Sequence, residues 1–302
     1  MNYTVLGDPH LGRKFVTGVP LHRIGEREAM VRADFEKSLQ MVPTEYHVCM
    51  GDLFDKFIVP PEVVLYAADT YLAAAITQPD VTFIVLMGNH DPSKDATKRS
   101  SFEIFRRLVE QQVNILVVTE PQVIGGMGFV PYSVFGSAAE GFQSLPVPVK
   151  QVFGHFDVVD WGGANVVPTA LMAEAGVKHV ITGHDHLRRD EKRHGVHIEV
   201  VGSLQPYTHA EDADGTWYRT VTLEQLGELD VGMLNVRVLL NEGETLPEDL
   251  DCLSLIAKRV ASVTEQAEEV DTTEFDNFDL NAELSKILPE SIRAEILEIV
   301  QS

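Results

Sequence analysis

Side chains of metal-binding type follow an apolar segment near the middle of this sequence. Residues 81–87 are apolar and partly β-branched, which predicts a strand buried on both faces. The segment runs directly into Gly88, Asn89, His90 and Asp91. In open α/β sheets, ligands bind beyond the carboxyl ends of the strands, so chemistry is expected at this point of the chain.

The same arrangement occurs four more times. The apolar segments 3–7, 47–51, 149–154 and 177–183 lead into Asp8 with His10, Asp52 with Asp55, His155, and His184 with His186. Alternate residues of an extended segment point the same way, so Asp8 and His10 can reach one cluster. Carboxylates, an amide and imidazoles without a thiolate suit manganese, iron, zinc or magnesium. The spacing therefore predicts a site with more than one metal ion.

These motifs resemble the five motifs of the calcineurin-like metallophosphoesterases. In order, across residues 1 to about 205, they are Asp8-x-His10, Gly51-Asp52-x-x-Asp55, Gly88-Asn89-His90-Asp91, Gly154-His155 and Gly183-His184-x-His186. More narrowly, the segments 10–12, 51–55 and 201–204 resemble the SbcD-type nuclease subunit of the bacterial SbcC–SbcD complex and its phage recombination counterparts. Pro9 and the short C-terminal part depart from that narrower pattern.

The resemblance implies a role for each motif residue. Asp8, His10 and His186 would hold one divalent ion, Asn89, His155 and His184 would hold a second, and Asp52 would bridge them. His90 would stabilise developing charge and protonate the leaving oxygen. Asp55 would orient His90, and a helix N-terminal cap is its alternative role. Two Mn²⁺ ions are expected, with Mg²⁺, Fe²⁺ or Zn²⁺ as alternatives.

Six histidines match no motif, and we expect none of them to bind metal: His22, His47, His179, His194, His197 and His209. Basic residues, in contrast, are concentrated just after the motifs. Arg13 and Lys14 follow the first motif, Lys94 the third and Arg188 the last. We expect these four to form a positive rim that binds substrate, although exposed loops carry charge in any protein.

The overall charge gives the opposite indication. The net charge of −22 argues against a nucleic-acid ligand, because phosphate binding depends on Lys and Arg. Residues 1–230 carry 19 Lys+Arg against 30 Asp+Glu, and residues 231–302 carry 5 against 16. No apolar run is long enough to span a membrane and no secretion signal is visible, so we expect a cytoplasmic protein. Cys49 lies in a predicted buried strand, which favours a free thiol over a disulfide with Cys252.

Helical and strand patterns alternate along the chain. Helices are predicted at 26–42, 61–76, 98–112 and 168–175, and further strands at 113–119, 196–202, 217–223 and 233–240. Residues 125–144 are rich in Gly and Ser and predict a loop. The fold class is therefore α/β, and the resemblance specifies a calcineurin-like β-sandwich flanked by helices with a small C-terminal segment.

Three regions are predicted: residues 1–230 as the metallophosphoesterase domain, 231–270 as a reduced capping region, and 271–302 as an acidic linker and C-terminal helix for partner binding. Residues 251–265 predict a helix and 265–279 an acidic linker. Residues 281–300 predict an apolar helix suited to a partner's coiled coil, or one folded back on its own domain.

The resemblance implies phosphoester hydrolysis and leaves the substrate open. One hypothesis is a two-metal-dependent phosphodiesterase acting on DNA, an exonuclease or endonuclease of recombination and repair. It would work with an SbcC-type coiled-coil ATPase and form a homodimer through the early helices. The alternative is a stand-alone metallophosphatase or cyclic-nucleotide phosphodiesterase, which the acidic charge would suit better. A scaffold without activity is disfavoured, because the ligand set is complete.

Overall fold

Four parallel strands form the first sheet of the protein. The computed structural model describes residues 2–95, 97–247 and 250–260. The sheet order is β1 (Tyr3–Leu6), β2 (Tyr46–Cys49), β3 (Thr82–Leu86) and β4 (Ile115–Val118). The strands are connected by α1 (Glu26–Leu39), α2 (Pro61–Thr77) and α3 (Ser101–Val109). Short strands of mostly buried residues joined by helices are typical of a parallel sheet covered on both faces.

Six strands form the second sheet. In chain order they are β5 (Gln122–Ile124), β6 (Met127–Val130), β7 (Gln151–Gly154), β8 (His179–Thr182), β9 (Arg189–Arg193) and β10 (Val196–Val200). The sheet order is β5-β6-β7-β8-β10-β9, and the four inner strands are parallel. Two short helices, α4 (Ala138–Gln143) and α5 (Thr169–Glu174), lie in the connections.

The two sheets pack face to face. A buried cluster between them includes Val48 and Ile84 from the first sheet and Phe129, Phe153 and Ile181 from the second. A second cluster joins the first sheet to α1, α2 and α3, and a third joins the second sheet to α4 and α5. The layers are thus helix, sheet, sheet and helix, which confirms the predicted α/β sandwich flanked by helices.

A small third sheet follows. Its three parallel strands are β11 (Tyr218–Thr222), β12 (Asn235–Leu240) and β13 (Ser254–Arg259), and the short helix α6 (Leu223–Leu226) follows β11. The sheet has its own buried cluster, which includes Val236, Val238 and Cys252. The predicted boundary between residues 230 and 231 falls inside this sheet, between its first two strands.

The loop predicted for residues 125–144 is wrong, because β6 and α4 lie there. Gly125 and Gly126 have positive φ angles of 55° and 76°, which form the two-residue turn of the β5–β6 hairpin. Ser137 and Glu140 form a capping box that begins α4. The small and polar residues of this stretch are therefore turn and cap signals between elements.

The helix predicted for residues 251–265 is also wrong over the part that is described. Residues Ser254–Arg259 pair with the whole length of β12 and form β13. Sheet pairing overrides the helix propensity of Leu, Ala, Lys and Arg in this segment. The acidic linker and C-terminal helix predicted for 265–300 lie outside the described residues.

Both cysteines are buried free thiols, as predicted for Cys49. Burial raises the pKa of the Cys49 thiol to about 12, so the group stays protonated. Among the helices of the described residues, none has the length and apolar character needed to cross a bilayer.

Candidate metal centre

The predicted ligands come together at the carboxyl ends of strands from both large sheets. Asp8 and His10 follow β1, Asp52 follows β2 and Asn89 follows β3, all from the four-stranded sheet. The other three ligands follow β7 and β8 of the six-stranded sheet: His155, His184 and His186. Three His/Asp groups within the described residues lie close enough to hold an ion. The site therefore lies between two sheets and not along the edge of one.

The first group consists of Asp8, His10 and His186. The Nε2 atoms of His10 and His186 are 3.0 Å apart, and Oδ2 of Asp8 is 3.9 Å from Nε2 of His186. Oδ2 of Asp8 also accepts a hydrogen bond of 2.8 Å from the backbone N–H of His184. The backbone at the end of β8 thus orients the Asp8 carboxylate.

The second set of predicted ligands consists of Asn89, His155 and His184, and its two histidines form a His/Asp group with Asp52. Oδ1 of Asn89 is 2.8 Å from Nε2 of His155 and 2.8 Å from Nδ1 of His184. This arrangement brings together an amide oxygen from one sheet and two imidazoles from the other. The structure thus brings together the three residues to which the resemblance assigns a second ion.

Asp52 lies between the two groups. Its Oδ2 atom is 3.7 Å from Nε2 of His10 and 3.5 Å from Nε2 of His155. Its Oδ1 atom accepts a hydrogen bond of 2.8 Å from the backbone N–H of His90. The position of Asp52 fits the predicted bridging role.

Three of these residues have left-handed backbone conformations. The φ angles are 45° for His10, 46° for Asp52 and 76° for His184. Such conformations cost non-glycine residues about 1–3 kcal/mol each and persist only where the surrounding structure enforces them. The strand ends are therefore held in geometries that aim the side chains at the site.

One glycine allows the backbone to come close to the bridging residue. A side chain at Gly88 would collide with the backbone nitrogen and the carboxylate of Asp52. A larger residue at position 88 would therefore displace Asp52 or the adjacent Asn89.

Three outer contacts orient the imidazoles. Nδ1–H of His155 donates to the Met50 carbonyl oxygen at 3.0 Å, which leaves Nε2 facing the site. Nε2 of His184 is 2.6 Å from Oδ1 of Asp157, and Nδ1 of His186 is 3.3 Å from Oε2 of Glu211. Outer partners of this kind fix the tautomer and orientation of metal-binding histidines.

Sequence reasoning missed both outer carboxylates. Asp157 is two residues after His155, so the alternation of an extended segment was an available signal. Glu211 is 25 residues after His186 and lies in no motif, so the local sequence held no comparable signal for its role. Glu211 also accepts a hydrogen bond of 2.8 Å from the backbone N–H of Tyr207.

Charges within the site shift several pKa values. Burial alone would raise the pKa of Asp52, but the imidazoles of His155 and His10 hold it below its ordinary value. Burial would lower the pKa of His155, but Asp52 and Asp8 raise it to about 10. Burial raises the pKa of Asp8 to about 7, with a contribution from Asp52. Positive charge is thus favoured in the middle of the site.

A pair of divalent ions fits these side chains. Oδ1 of Asp8 is buried and has no hydrogen-bond partner within the described part of the chain. Elsewhere in the site, Oδ1 of Asn89 lies 2.8 Å from Nε2 of His155 and 2.8 Å from Nδ1 of His184. The amide oxygen can only accept, so each contact requires a proton on the imidazole or a cation between the two atoms. The donor set of oxygens and imidazoles suits first-row divalent metals or magnesium.

His90 lies at the edge of the site, with its side chain 41% exposed. Its Nε2 atom is 4.0 Å from Oδ2 of Asp52, and it forms a third group with His10 and Asp52. Its Nδ1 atom is 2.6 Å from the backbone carbonyl oxygen of Asp55. The predicted contact with Asp55 is thus made by the backbone. The Asp55 carboxylate instead lies 3.5 Å from Nη1 of Arg13.

A basic cleft opens beside His90. A cavity of about 710 Å³ is lined by Asn89, His90 and five basic residues, Arg13, Lys14, Lys56, Lys94 and Lys98. Three of the four predicted substrate-binding residues therefore lie together. Arg188 is exposed next to β9 and is not among the described residues that line this cavity. Lys56 and Lys98 were not among the predicted site residues.

The six histidines outside the motifs belong to none of the three His/Asp groups in the described residues. Two of them, His179 on β8 and His197 on β10, stack with ring centroids 4.8 Å apart. His47 is a buried residue of β2 and packs on Phe83.

Comparison with known proteins gives a family match and remote likenesses to solved structures, among them two proteins from Plasmodium and Mycobacterium tuberculosis. The family model described as calcineurin-like phosphoesterase matches residues 1–188, more than half of the chain. No curated protein matches the sequence. GAP50, the anchor in the inner membrane complex of Plasmodium, is 14% identical over 68% of this chain and 72% of its own, with a TM-score of 0.39. Phosphopantetheinyl hydrolase (PptH) from Mycobacterium tuberculosis is 12% identical over 68% and 93%, with a TM-score of 0.37. Both likenesses are too remote to support a conclusion about this chain.

Proposed function

We propose a DNA-cleaving activity for this chain, which belongs to the calcineurin-like phosphoesterase family. The family match and the His/Asp groups make it a metal-dependent phosphoesterase. The finer proposal is a two-metal phosphodiesterase that acts on DNA as an exonuclease or endonuclease. Its expected setting is an SbcC–SbcD-like complex of recombination and repair.

The basic cleft is the observation that carries this proposal. Five Lys and Arg side chains line it against two carboxylates, Asp55 and Asp95, although the whole chain has a net charge of −22. Arg13 and Lys98 pair with these carboxylates, which leaves Lys14, Lys56 and Lys94 as the excess positive charge. Cationic side chains collected at one place on an acidic protein favour a polyanionic ligand at that place. Because Asn89 and His90 line the same cavity, a strand bound there would pass next to the metal ligands.

The chain's own residues have separate tasks in this reaction. Asp8, Asp52, Asn89 and the imidazoles would hold the ions. Divalent ions bound there would supply an activated water and neutralise charge on the phosphoryl oxygens. His90 donates its Nδ1–H to the Asp55 carbonyl oxygen, which fixes the ring. In the imidazolium form the ring also carries a proton on Nε2, which it gives to the leaving oxygen, and the neutral imidazole remains.

Partners are part of the proposal. An SbcC-type coiled-coil ATPase would bind the C-terminal region 271–302, and co-purification of the two chains tests that contact.

A homodimer would form through α1 and α2, near which Met41, Leu65 and Ile76 are exposed. Light scattering on the purified chain measures whether that dimer exists. Two Mn²⁺ ions and a cytoplasmic location complete the proposal.

The test compares three substrates in the presence of Mn²⁺: end-labelled DNA, bis(p-nitrophenyl) phosphate and p-nitrophenyl phosphate. The proposal expects hydrolysis of DNA and of the diester, with DNA cleavage increased by the ATPase partner. Turnover of the monoester alone, with and without the partner, would reject the DNA activity.

A matched pair of variants tests the cleft itself. Lys94→Gln removes a charge inside the cleft, and Lys192→Gln removes one from the exposed face of β9. We expect Lys94→Gln to raise the KM for DNA. The slope of log binding constant against log salt concentration should become shallower by about one, the value for one phosphate contact. Equal effects of the two variants would show that the cleft does not bind the strand.

The acidic charge of the chain favours a second candidate. A stand-alone metallophosphatase or cyclic-nucleotide phosphodiesterase takes a small substrate and does not require a long positive surface. A kcat/KM for p-nitrophenyl phosphate or a cyclic nucleotide far above that for DNA would favour this candidate.

A further inference from the structure

A second cavity lies between the loop after His10 and the small third sheet. Its volume is about 320 Å³, and its walls include Arg13, Lys14, His209 and Arg237. Among the described residues that line it, three are Lys or Arg and none is Asp or Glu. In a chain with 46 acidic and 24 basic residues, such a wall favours an anionic ligand. We call this cavity the Arg237 pocket.

The charge of Arg237 is available to a ligand. Arg237 lies on the central strand β12 of the small sheet and is partly buried. Arg13 pairs with Asp55 at 3.5 Å, whereas Arg237 and Lys14 have no ion-pair partner among the described residues. His209 lies next to Arg237, because its Nδ1 atom is 3.4 Å from the hydroxyl of Thr220, the residue that pairs with Arg237 in the sheet. A phosphate bound between Arg237 and Lys14 would compensate their charges.

Aromatic rings form another part of the wall. Phe15, Tyr207 and Tyr218 line the pocket, and the ring of His209 lies 4.9 Å from that of Tyr218. Ring faces next to cationic groups are the combination that binds a nucleotide, because the base packs on the rings and the phosphate meets the cations. A volume near 300 Å³ is at the small end of ligand sites, which suits a ligand of that size.

The Arg237 pocket adjoins the metal centre. Arg13 and Lys14 line both this pocket and the basic cleft. The hydroxyl of Tyr207 donates to the Pro9 carbonyl oxygen at 2.6 Å, and its ring centroid is 5.4 Å from that of His10. One wall residue of the pocket thus packs directly against a ligand of the first group. A strand bound in the cleft can therefore extend past the metal site into the pocket.

We propose that the Arg237 pocket binds the nucleotide adjacent to the scissile phosphate of a nucleic-acid strand. Arg237 and Lys14 contact its phosphate, and Phe15, His209 and Tyr218 contact its base and sugar. The inference rests on the proposed function, since it places a second part of the same substrate. A free nucleoside monophosphate presents the same chemistry, so the experiment separates the two sources.

The experiment compares two chromogenic diesters that differ in one group. Thymidine 3′-phosphate 5′-(p-nitrophenyl phosphate) carries a nucleoside with a second phosphate beside the reacting phosphorus, and bis(p-nitrophenyl) phosphate carries neither. In Arg237→Gln, we expect the ratio of kcat/KM for the first to kcat/KM for the second to fall about tenfold, mainly through KM. A loss of that size is typical of one charge-assisted hydrogen bond.

Two further variants make the result specific. Arg259→Gln removes the same charge from an exposed position of β13 in the same sheet, and it should leave the ratio unchanged. Lys14→Gln lies on an exposed loop, where folding is not at risk, and should lower the ratio in the same direction as Arg237→Gln. Equal ratios in wild type, Arg237→Gln and Lys14→Gln would overturn the proposal.

Binding measurements identify the source of the nucleotide. Fluorescence anisotropy with a labelled eight-nucleotide strand should show tighter binding than competition with thymidine 5′-monophosphate, and Arg237→Gln should weaken both. Equal affinity of strand and mononucleotide would overturn the assignment to a strand. If the wild type hydrolyses both diesters but no DNA, the proposed function fails, and the nucleoside ratio still tests the pocket.

Discussion

The two large sheets contribute different chemistry to one site. The four-stranded sheet supplies the candidate oxygen ligands Asp8, Asp52 and Asn89, together with His10 and His90. The six-stranded sheet supplies three imidazoles, His155, His184 and His186. Neither sheet alone carries a complete ligand set. The site therefore forms only when the sandwich packs, and the hydrophobic core between the sheets is a condition for metal binding.

Electrostatics links the two halves as well. The carboxylates of Asp8 and Asp52 would repel each other if the first sheet stood alone. His155 from the second sheet lies 3.5 Å from Asp52 and 4.0 Å from Asp8, and its pKa is raised to about 10 despite its burial. The proton on His155 therefore partly replaces the charge of a cation in the metal-free protein. Metal binding must displace it, so metal affinity should increase with pH.

The largest effect is expected from Asp52→Ala, which removes the residue that both halves share. Because Asp52 reaches both ligand groups, neither ion should be retained, and hydrolysis should fall by at least about 10³-fold. Metal content by mass spectrometry and turnover of bis(p-nitrophenyl) phosphate measure this. Added Mn²⁺ should raise the melting temperature of the wild type but not of the variant. Two ions retained by the variant would contradict the bridging role.

His90→Gln tests whether the four-stranded sheet supplies more than ligands. If His90 delivers a proton and holds no ion, the variant should keep both metals and lose about 10²- to 10⁴-fold in kcat. His90 lies within reach of an ion held by His10 and Asp52, so it could also be a ligand. Measuring the metal content of the variant distinguishes the two roles. Loss of one ion together with activity would make His90 a ligand.

The outer carboxylates test the six-stranded sheet. Asp157→Ala should weaken the ion held by His184, and Glu211→Ala the ion held by His186, each by about 10- to 100-fold in affinity. Calorimetric titration of metal-free protein with Mn²⁺ should show one weakened and one unchanged site in each variant. Asp157→Asn keeps an acceptor oxygen and should recover part of the affinity. Asp160→Ala, an exposed carboxylate nearby, is the control.

The sequence predicts local features of this site well. Each ligand directly follows an apolar strand, so strand and ligand are recognised from the same few residues, as with 81–87 and Asn89. Helices α1 and α2 begin at the predicted residues Glu26 and Pro61. The α/β class follows from the alternation of these elements.

Contacts between segments that are distant in the sequence could not be predicted from the local patterns. The pairing of β13 with β12 overrides a helical composition, and the contact of Glu211 with His186 joins segments that share no motif. The division of the ligands between two sheets also depends on which strands pair, and one strand end looks like another in sequence. The Gly125–Gly126 pair indicates a turn in the sequence, but a hairpin forms there only because β5 and β6 flank it and pair with each other.

The smallest effect is expected from His47, a buried histidine outside the site whose surroundings are opposite to those of His155. His47 is 2% exposed, and its Nδ1 has no hydrogen-bond partner among the described residues. Burial lowers its pKa to about 4, whereas the carboxylates of the site raise the pKa of His155. The contrast shows that partner charges, and not burial alone, decide which buried histidine is protonated.

A stability measurement tests this contrast. The pKa of His47 in the folded protein lies below its unfolded value of about 6.5, so the unfolded chain binds the proton first as the pH falls. The contribution of neutral His47 to the free energy of unfolding is fully present above pH about 6.5 and decreases as the pH falls towards 4. At pH 5 about 2 kcal/mol of it is lost. Urea unfolding at pH 7.5 and 5.0 measures how much the free energy of unfolding decreases between these two pH values. In metal-free His47→Phe this decrease should be smaller than in the metal-free wild type by that amount. The same substitution at the exposed His22 should leave the loss unchanged, and equal losses in all three proteins would mean that His47 does not stay neutral.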